Sequence, residues 1–92
     1  MDYSKDSLEE IRKAAEDMMK PHEIAGLLGM DEQLFCDDVR TPGNEARRAF
    51  LMGYMKTVRQ MRQNIKDAAD TGSPFALQKC LDCLSQIADH ID

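Results

Sequence analysis

Helix-breaking residues interrupt this sequence at four places, and between them apolar residues recur at helical spacing. The breaks are Pro21, Gly29, Thr41-Pro42-Gly43 and Thr71-Gly72-Ser73-Pro74. Proline disfavours helical geometry in the residue before it, and glycine adopts the positive φ that commonly ends a helix. Because the apolar residues between the breaks lie three and four positions apart, the sequence predicts helices and no strands. We therefore expect an all-α fold.

The predicted helices form two groups within one domain that covers residues 1–92. Three helices make a compact, helix-turn-helix-like head over residues 7–41. The first is expected to begin at Ser7, whose hydroxyl would form a capping box with Glu10. A long helix followed by a short one makes an antiparallel hairpin over residues 44–91, with Asn44 as the cap of the long helix.

The most specific local pattern surrounds Gly29. A helix-turn-helix needs a small residue midway along its first helix and a turn glycine four residues later. Ala25, helped by Gly26, supplies the small residue, and Gly29 supplies the turn. Asp31 is the expected N-cap of the next helix. Apolar side chains of these two helices are expected to face inward, namely those of Ile24, Leu27, Leu28, Leu34, Phe35 and Val39.

The charge is unevenly distributed along the chain. The net charge is −5, and residues 1–42 hold 11 acidic side chains against 5 basic ones. Residues 43–70 reverse this balance, with 6 basic side chains against 3 acidic ones. A local basic helix attracts phosphates even when the whole molecule is acidic. The long helix is therefore a candidate nucleic-acid surface.

Eight side chains are candidates for nucleic-acid contact. Arg59, Arg62 and Lys66 share one face of the long helix, and Lys56 lies one turn earlier. The complete set is Arg47, Arg48, Lys56, Arg59, Arg62 and Lys66 on the long helix, with Gln33 and Arg40 on the helix after Gly29. A second interpretation stays open, in which the basic face pairs with the acidic half of the chain, within or between subunits.

The helix after Gly29 has a charge that opposes a role in reading DNA. Asp31, Glu32, Asp37 and Asp38 would be repelled by phosphates, so the long helix is expected to supply much of any attraction. At ~37 Å the long helix also exceeds what so small a domain buries, so part of its apolar stripe is expected to meet a partner subunit. This points to a homo-oligomer.

Nothing in the sequence indicates catalysis, a metal or a cofactor. Cys80-Leu-Asp-Cys83 offers two sulfurs where zinc needs four ligands, and a redox pair of the thioredoxin type needs a preceding strand. Buried, reduced thiols are the simpler interpretation. No glycine-rich phosphate loop occurs. We expect a protein that is not an enzyme and has no cofactor, and reduced thiols favour the cytoplasm. Its longest apolar run, residues 24–30, is too short to span a membrane.

Three segments resemble the N-terminal part of bacteriophage terminase small subunits. They are Ile24–Gly29 followed by Asp31–Phe35, the entry to the long helix at Ala49–Lys56, and the junction before the last helix at Ala68–Leu77. The resemblance covers roughly residues 20–85. It implies a protein that recognises viral DNA, assembles into rings and modulates a separate large ATPase and nuclease subunit. Its implied partners are duplex DNA, further copies of the chain and that packaging ATPase, with no membrane involved.

Two other functions are compatible with the residues. One is a protein–protein adaptor that keeps the helix-turn-helix shape without binding nucleic acid. The other is a small helix-turn-helix transcription regulator, which would need base contacts from Gln33 or Arg40.

Overall fold

A computed structural model describes residues 1–71 (without the side chains of 69–71), together with Gln78, Leu81–Asp82 and Ser85–Gln86. Four helices run through residues 1–71: α1 (Lys5–Glu16), α2 (Pro21–Leu28), α3 (Glu32–Arg40) and α4 (Glu45–Thr71). No strand occurs among the described residues, so the all-α prediction is confirmed at this level. The predicted short helix that follows the long one, and the hairpin the two would form, lie outside the described residues except at those five helical positions.

The first helix begins earlier than the sequence pattern predicts. Ser4, in extended backbone geometry, is the N-cap, and its hydroxyl oxygen accepts a hydrogen bond from the Ser7 amide at 3.1 Å. Ser7 therefore lies inside α1, and the predicted capping box of Ser7 with Glu10 is wrong. Two serines three residues apart could each cap, and the earlier one does so here.

The helix ends around Gly29 follow the prediction. Gly29 adopts left-handed geometry with φ 67°, and the Asp31 carboxylate accepts from the Leu34 amide at 2.9 Å to begin α3. Ala25 is fully buried. Gly26 is exposed, and a Cβ added to it would meet nothing within 4 Å, so Gly26 gives no help to the packing of the two helices.

The core lies where α1 and α4 pack together and α2 and α3 cover them. Phe35 and Phe50 are its largest fully buried side chains. The other buried apolar side chains include Ile11, Ala14, Ala15, Ile24, Ala25, Val39, Ala46 and Ala49. Two predicted inward positions are wrong, because Leu27 and Leu34 are 62% and 54% exposed. On α2 and α3 the core is filled by Ile24, Phe35 and Val39, which leaves the neighbouring leucines facing solvent.

The buried side of the long helix carries apolar residues at helical spacing. Asn44 caps it, with its side-chain oxygen accepting from the Ala46 amide at 2.9 Å. Ala46 and Phe50 are fully buried, and Tyr54 stacks on Phe50 with the ring centres 6.2 Å apart. Further along, Val58 is buried and Met61, Ile65 and Ala68 are half-buried. Within the part of the chain that the structure describes, no helix is both long and apolar enough to cross a membrane.

Candidate nucleic-acid interface

The central part of α4 is basic throughout. Between Ala46 and Lys66 the sequence has six arginines and lysines and no carboxylate. A continuous helix holds these side chains at fixed angles around one axis, at 1.5 Å per residue. Two of these six side chains contact other helices, and the other four face solvent.

Arg47 is held by the fold. It is half-buried, and its Nη1 donates to the carbonyl oxygen of Val39 at 2.9 Å. Val39 lies in the last turn of α3, where carbonyl groups lack helical partners. Arg47 therefore joins the C-terminal end of α3 to the first turns of α4.

Lys56 is also engaged, although it is exposed. Its Nζ lies 3.1 Å from a Glu16 carboxylate oxygen, and Glu16 also accepts from Arg12 at 3.2 Å. The Thr57 hydroxyl donates to the Glu16 carbonyl oxygen in the same place. The charge of Lys56 is therefore offset by the C-terminal end of α1.

The remaining four basic residues share one exposed face with two methionines. We call this face the α4 stripe; its residues are Arg48, Met52, Met55, Arg59, Arg62 and Lys66. Their spacing alternates between four and three residues, which confines them to a sector about 80° wide and ~27 Å long. None of its four cations forms an ion pair with any residue that the structure describes.

The stripe has two different halves. Arg48, Met52 and Met55 make a mixed half near the start of α4, where the methionines are 60% and 50% exposed. Arg59, Arg62 and Lys66 follow as an unbroken cationic row, which we call the phosphate row. Their side chains leave the helix at intervals of about 4.5 and 6 Å along its axis.

Gln33 and Arg40, the candidates for base contact, lie elsewhere. Gln33 Nε2 donates to the Asp37 carboxylate at 3.0 Å on the exposed side of α3. Both residues line an open cleft of about 500 Å³ on the outer side of α3. Two carboxylates, those of Asp31 and Glu32, line the same cleft. Carboxylates beside both candidates oppose the approach of a phosphate backbone.

Sequence reasoning missed a contact between the N-terminus and α3. The Tyr3 hydroxyl donates to the Asp38 carboxylate at 2.5 Å, and the Tyr3 ring meets Phe35 edge to face at 6.4 Å. The N-terminal ammonium lies 3.8 Å from the same Asp38 oxygen. Burial, and then the Asp38 hydrogen bond, raises the pKa of Tyr3. No local pattern signals a contact between residues 35 positions apart.

The thiol of Cys36 and the carboxylates give no sign of a metal centre. Burial raises the pKa of Cys36, so this half-buried thiol stays protonated at neutral pH. No three His, Cys, Asp or Glu side chains lie close enough to hold a metal ion within the described parts of the chain. Cys80 and Cys83 lie outside the described residues.

No family model, characterised protein or solved structure matches this chain.

Proposed function

We propose that this protein is a noncatalytic, nucleic-acid-binding component of a phage-type DNA-packaging apparatus, working as an oligomer in the bacterial cytoplasm beside a separate packaging ATPase. The packaging role rests on the resemblance of residues 20–85 to terminase small subunits. The nucleic-acid role rests on the structure of α4.

The phosphate row is the observation that carries this proposal. Arg59, Arg62 and Lys66 are exposed on one face of α4, and none is paired with a carboxylate among the described residues. Cations that are free in the unbound protein meet phosphates without first breaking an ion pair, and they release condensed counterions from the nucleic acid. Lys56, already paired with Glu16, lacks this advantage.

The α2–α3 unit has a different role in the proposal. Its left-handed Gly29 and buried Ala25 support a helix-turn-helix arrangement. The outward side of α3 carries carboxylates and has Gln33 bound to Asp37, which disfavours reading of bases. We therefore assign attraction for the nucleic acid to α4, and protein contacts to α2 and α3.

Duplex binding by charge-neutralised variants tests the proposal. A labelled DNA duplex is titrated at ~50 mM salt, where phosphate contacts are strong, and its anisotropy is followed. The matched comparison is the triple variant Arg59→Gln, Arg62→Gln, Lys66→Gln against Lys56→Gln. We expect the triple variant to lose affinity by about one to three orders of magnitude, because three phosphate contacts are lost. Lys56→Gln should stay close to the unsubstituted protein.

A protein–protein adaptor is the second candidate function. It is favoured by two exposed leucines, Leu27 and Leu34, on helices whose solvent side carries carboxylates. An adaptor would leave the duplex unbound at ~50 mM salt, and neutralising the phosphate row would then change nothing.

A further inference from the structure

An open groove lies between α1 and the start of α4. It has a volume of about 260 Å³, and its apolar lining comes from Leu8, Ala49 and Met52. Charged side chains surround this lining, with Lys5 and Arg48 among the cations and Glu45 among the carboxylates. Lys5 and Arg48 form no ion pair within the described parts of the chain. Glu45 forms none there either, so the groove offers an apolar floor beside two unpaired cations and one unpaired carboxylate.

The head of the same chain carries the complementary feature. Leu34 projects from α3 with 54% of its surface exposed, and Asp37 lies three residues later, near it on the helix surface. Asp37 is exposed and accepts a hydrogen bond from Gln33. An exposed leucine beside a carboxylate matches a groove that has an apolar floor beside an arginine.

We propose that the groove between α1 and α4 receives Leu34 from a second copy of this chain, with Asp37 of that copy facing Arg48. This inference rests on the oligomer in the proposed function and specifies its interface. A second copy is the occupant that the charges favour. Residues 31–38, which cap and form most of α3, hold four carboxylates and no cation, whereas the unpaired charges that line the groove are Lys5 and Arg48 against Glu45 alone.

This contact joins two different surfaces, so a pair of copies keeps one free Leu34 surface, on one copy, and one free groove, on the other. Such a contact is heterologous and continues into a ring or a filament. It uses the mixed half of the α4 stripe, Arg48 and Met52, and leaves Arg59, Arg62 and Lys66 uncovered. Nucleic acid and the neighbouring copy can therefore occupy the stripe together.

A charge exchange between two variants tests the interface. Asp37→Arg and Arg48→Asp each place like charges across the contact, so each variant alone should associate roughly tenfold or more weakly than the unsubstituted protein. Mixed in equal amounts, the two variants restore opposite charges at every contact. Sedimentation velocity over a concentration series at low salt measures the mass, and circular dichroism confirms that each variant is folded.

Substitution of the leucines supplies the matched control. Leu34→Ser should weaken association, whereas Leu27→Ser, which removes a somewhat more exposed leucine from α2, should not. Recovery of association in the mixture, together with this difference between the leucines, is the expected result.

Three outcomes would overturn the inference in distinguishable ways. If the unsubstituted protein stays monomeric at low salt and high concentration, both this interface and the proposed oligomer are contradicted. If the D37R, R48D and L34S variants self-associate as strongly as the unsubstituted protein, the oligomer stands but this interface is contradicted. Failure of the mixture to recover association removes the pairing of Asp37 with Arg48. Duplex binding is measured separately on D37R, which leaves the phosphate row intact.

Discussion

Gly53 of α4 lies directly against the backbone of α1 at Arg12. A Cβ added to Gly53 would fall 2.9 Å from the Glu16 amide nitrogen and closer still to the Arg12 carbonyl oxygen. Only glycine allows this approach. Gly53 lies on the side of α4 away from the α4 stripe, about 140° around the helix from its centre. The close contact with α1 therefore fixes which side of α4 faces solvent.

Alanine at position 53 should destabilise the fold, because its Cβ would collide with backbone atoms that cannot move aside. We expect Gly53→Ala to lower the free energy of unfolding by about 1–3 kcal/mol, as overpacking does in other cores. Gly26→Ala is the control, since it meets open space on an exposed helix and should raise stability by up to about 1 kcal/mol. Urea unfolding measures the stability of both variants. If Gly53→Ala is as stable as Gly26→Ala, the close approach of Gly53 to the α1 backbone is contradicted.

The Tyr3–Asp38 hydrogen bond should contribute to stability in a pH-dependent way. Tyr3→Phe should lower the free energy of unfolding by about 1–2 kcal/mol near neutral pH, because it leaves the Asp38 carboxylate without this donor. The pKa of Tyr3 is raised in the folded state, so folding favours the neutral phenol. This stabilisation is complete below the unfolded pKa of about 10 and declines as the pH rises above it.

Unfolding measured from pH 7 to 11 checks this behaviour. The difference between the unsubstituted protein and Tyr3→Phe should stay constant up to about pH 9 and narrow above about pH 10, where the unfolded chain loses the phenol proton. A difference that widens in that range would show that the tyrosine is not held by Asp38.

Arg47 and Arg48 are neighbours with different roles, and substitution should separate them. Arg47→Met removes the hydrogen bond to Val39 and should cost about 1–2 kcal/mol of unfolding free energy, since the carbonyl of a buried residue loses its charged donor. Arg48→Met changes an exposed side chain and should stay within about 0.5 kcal/mol. Thermal or urea unfolding distinguishes them, and equal effects would contradict a structural role for Arg47.

Gln33 and Arg40 should have little influence on which DNA sequence is bound. The double variant Gln33→Ala, Arg40→Ala is expected to bind duplexes of different sequence with the same relative affinities as the unsubstituted protein. Competition titrations with a panel of duplexes measure this. If the double variant loses a preference for one sequence, α3 reads bases and the protein belongs with transcription regulators.

The parts of the fold that local rules govern were predictable. The bounds of α2, the turn at Gly29 and the caps at Asp31 and Asn44 follow from the conformational preferences of a few adjacent residues. Contacts between distant residues were not predictable. Gly53 gives no local sign that it meets Arg12, and Tyr3 gives none that it meets Asp38.

In the candidate site, too, local spacing was predictable and contacts with distant residues were not. Helical spacing placed Arg59, Arg62 and Lys66 on one face, and the structure keeps them there, exposed. The same pattern cannot indicate which cations the fold engages. Arg47 is held by a carbonyl on α3 and Lys56 by a carboxylate on α1, and both partners come from other helices.

The salt dependence of duplex binding tests the central claim most directly, because it counts phosphate contacts. If Arg59, Arg62 and Lys66 each meet one phosphate, log K should fall with log salt with a slope of about −2.7 from these three residues alone. The triple glutamine variant should flatten the slope by about that amount, and Lys56→Gln should leave it nearly unchanged. A slope near zero for the unsubstituted protein, or one that the triple variant does not change, would contradict nucleic-acid binding by the phosphate row.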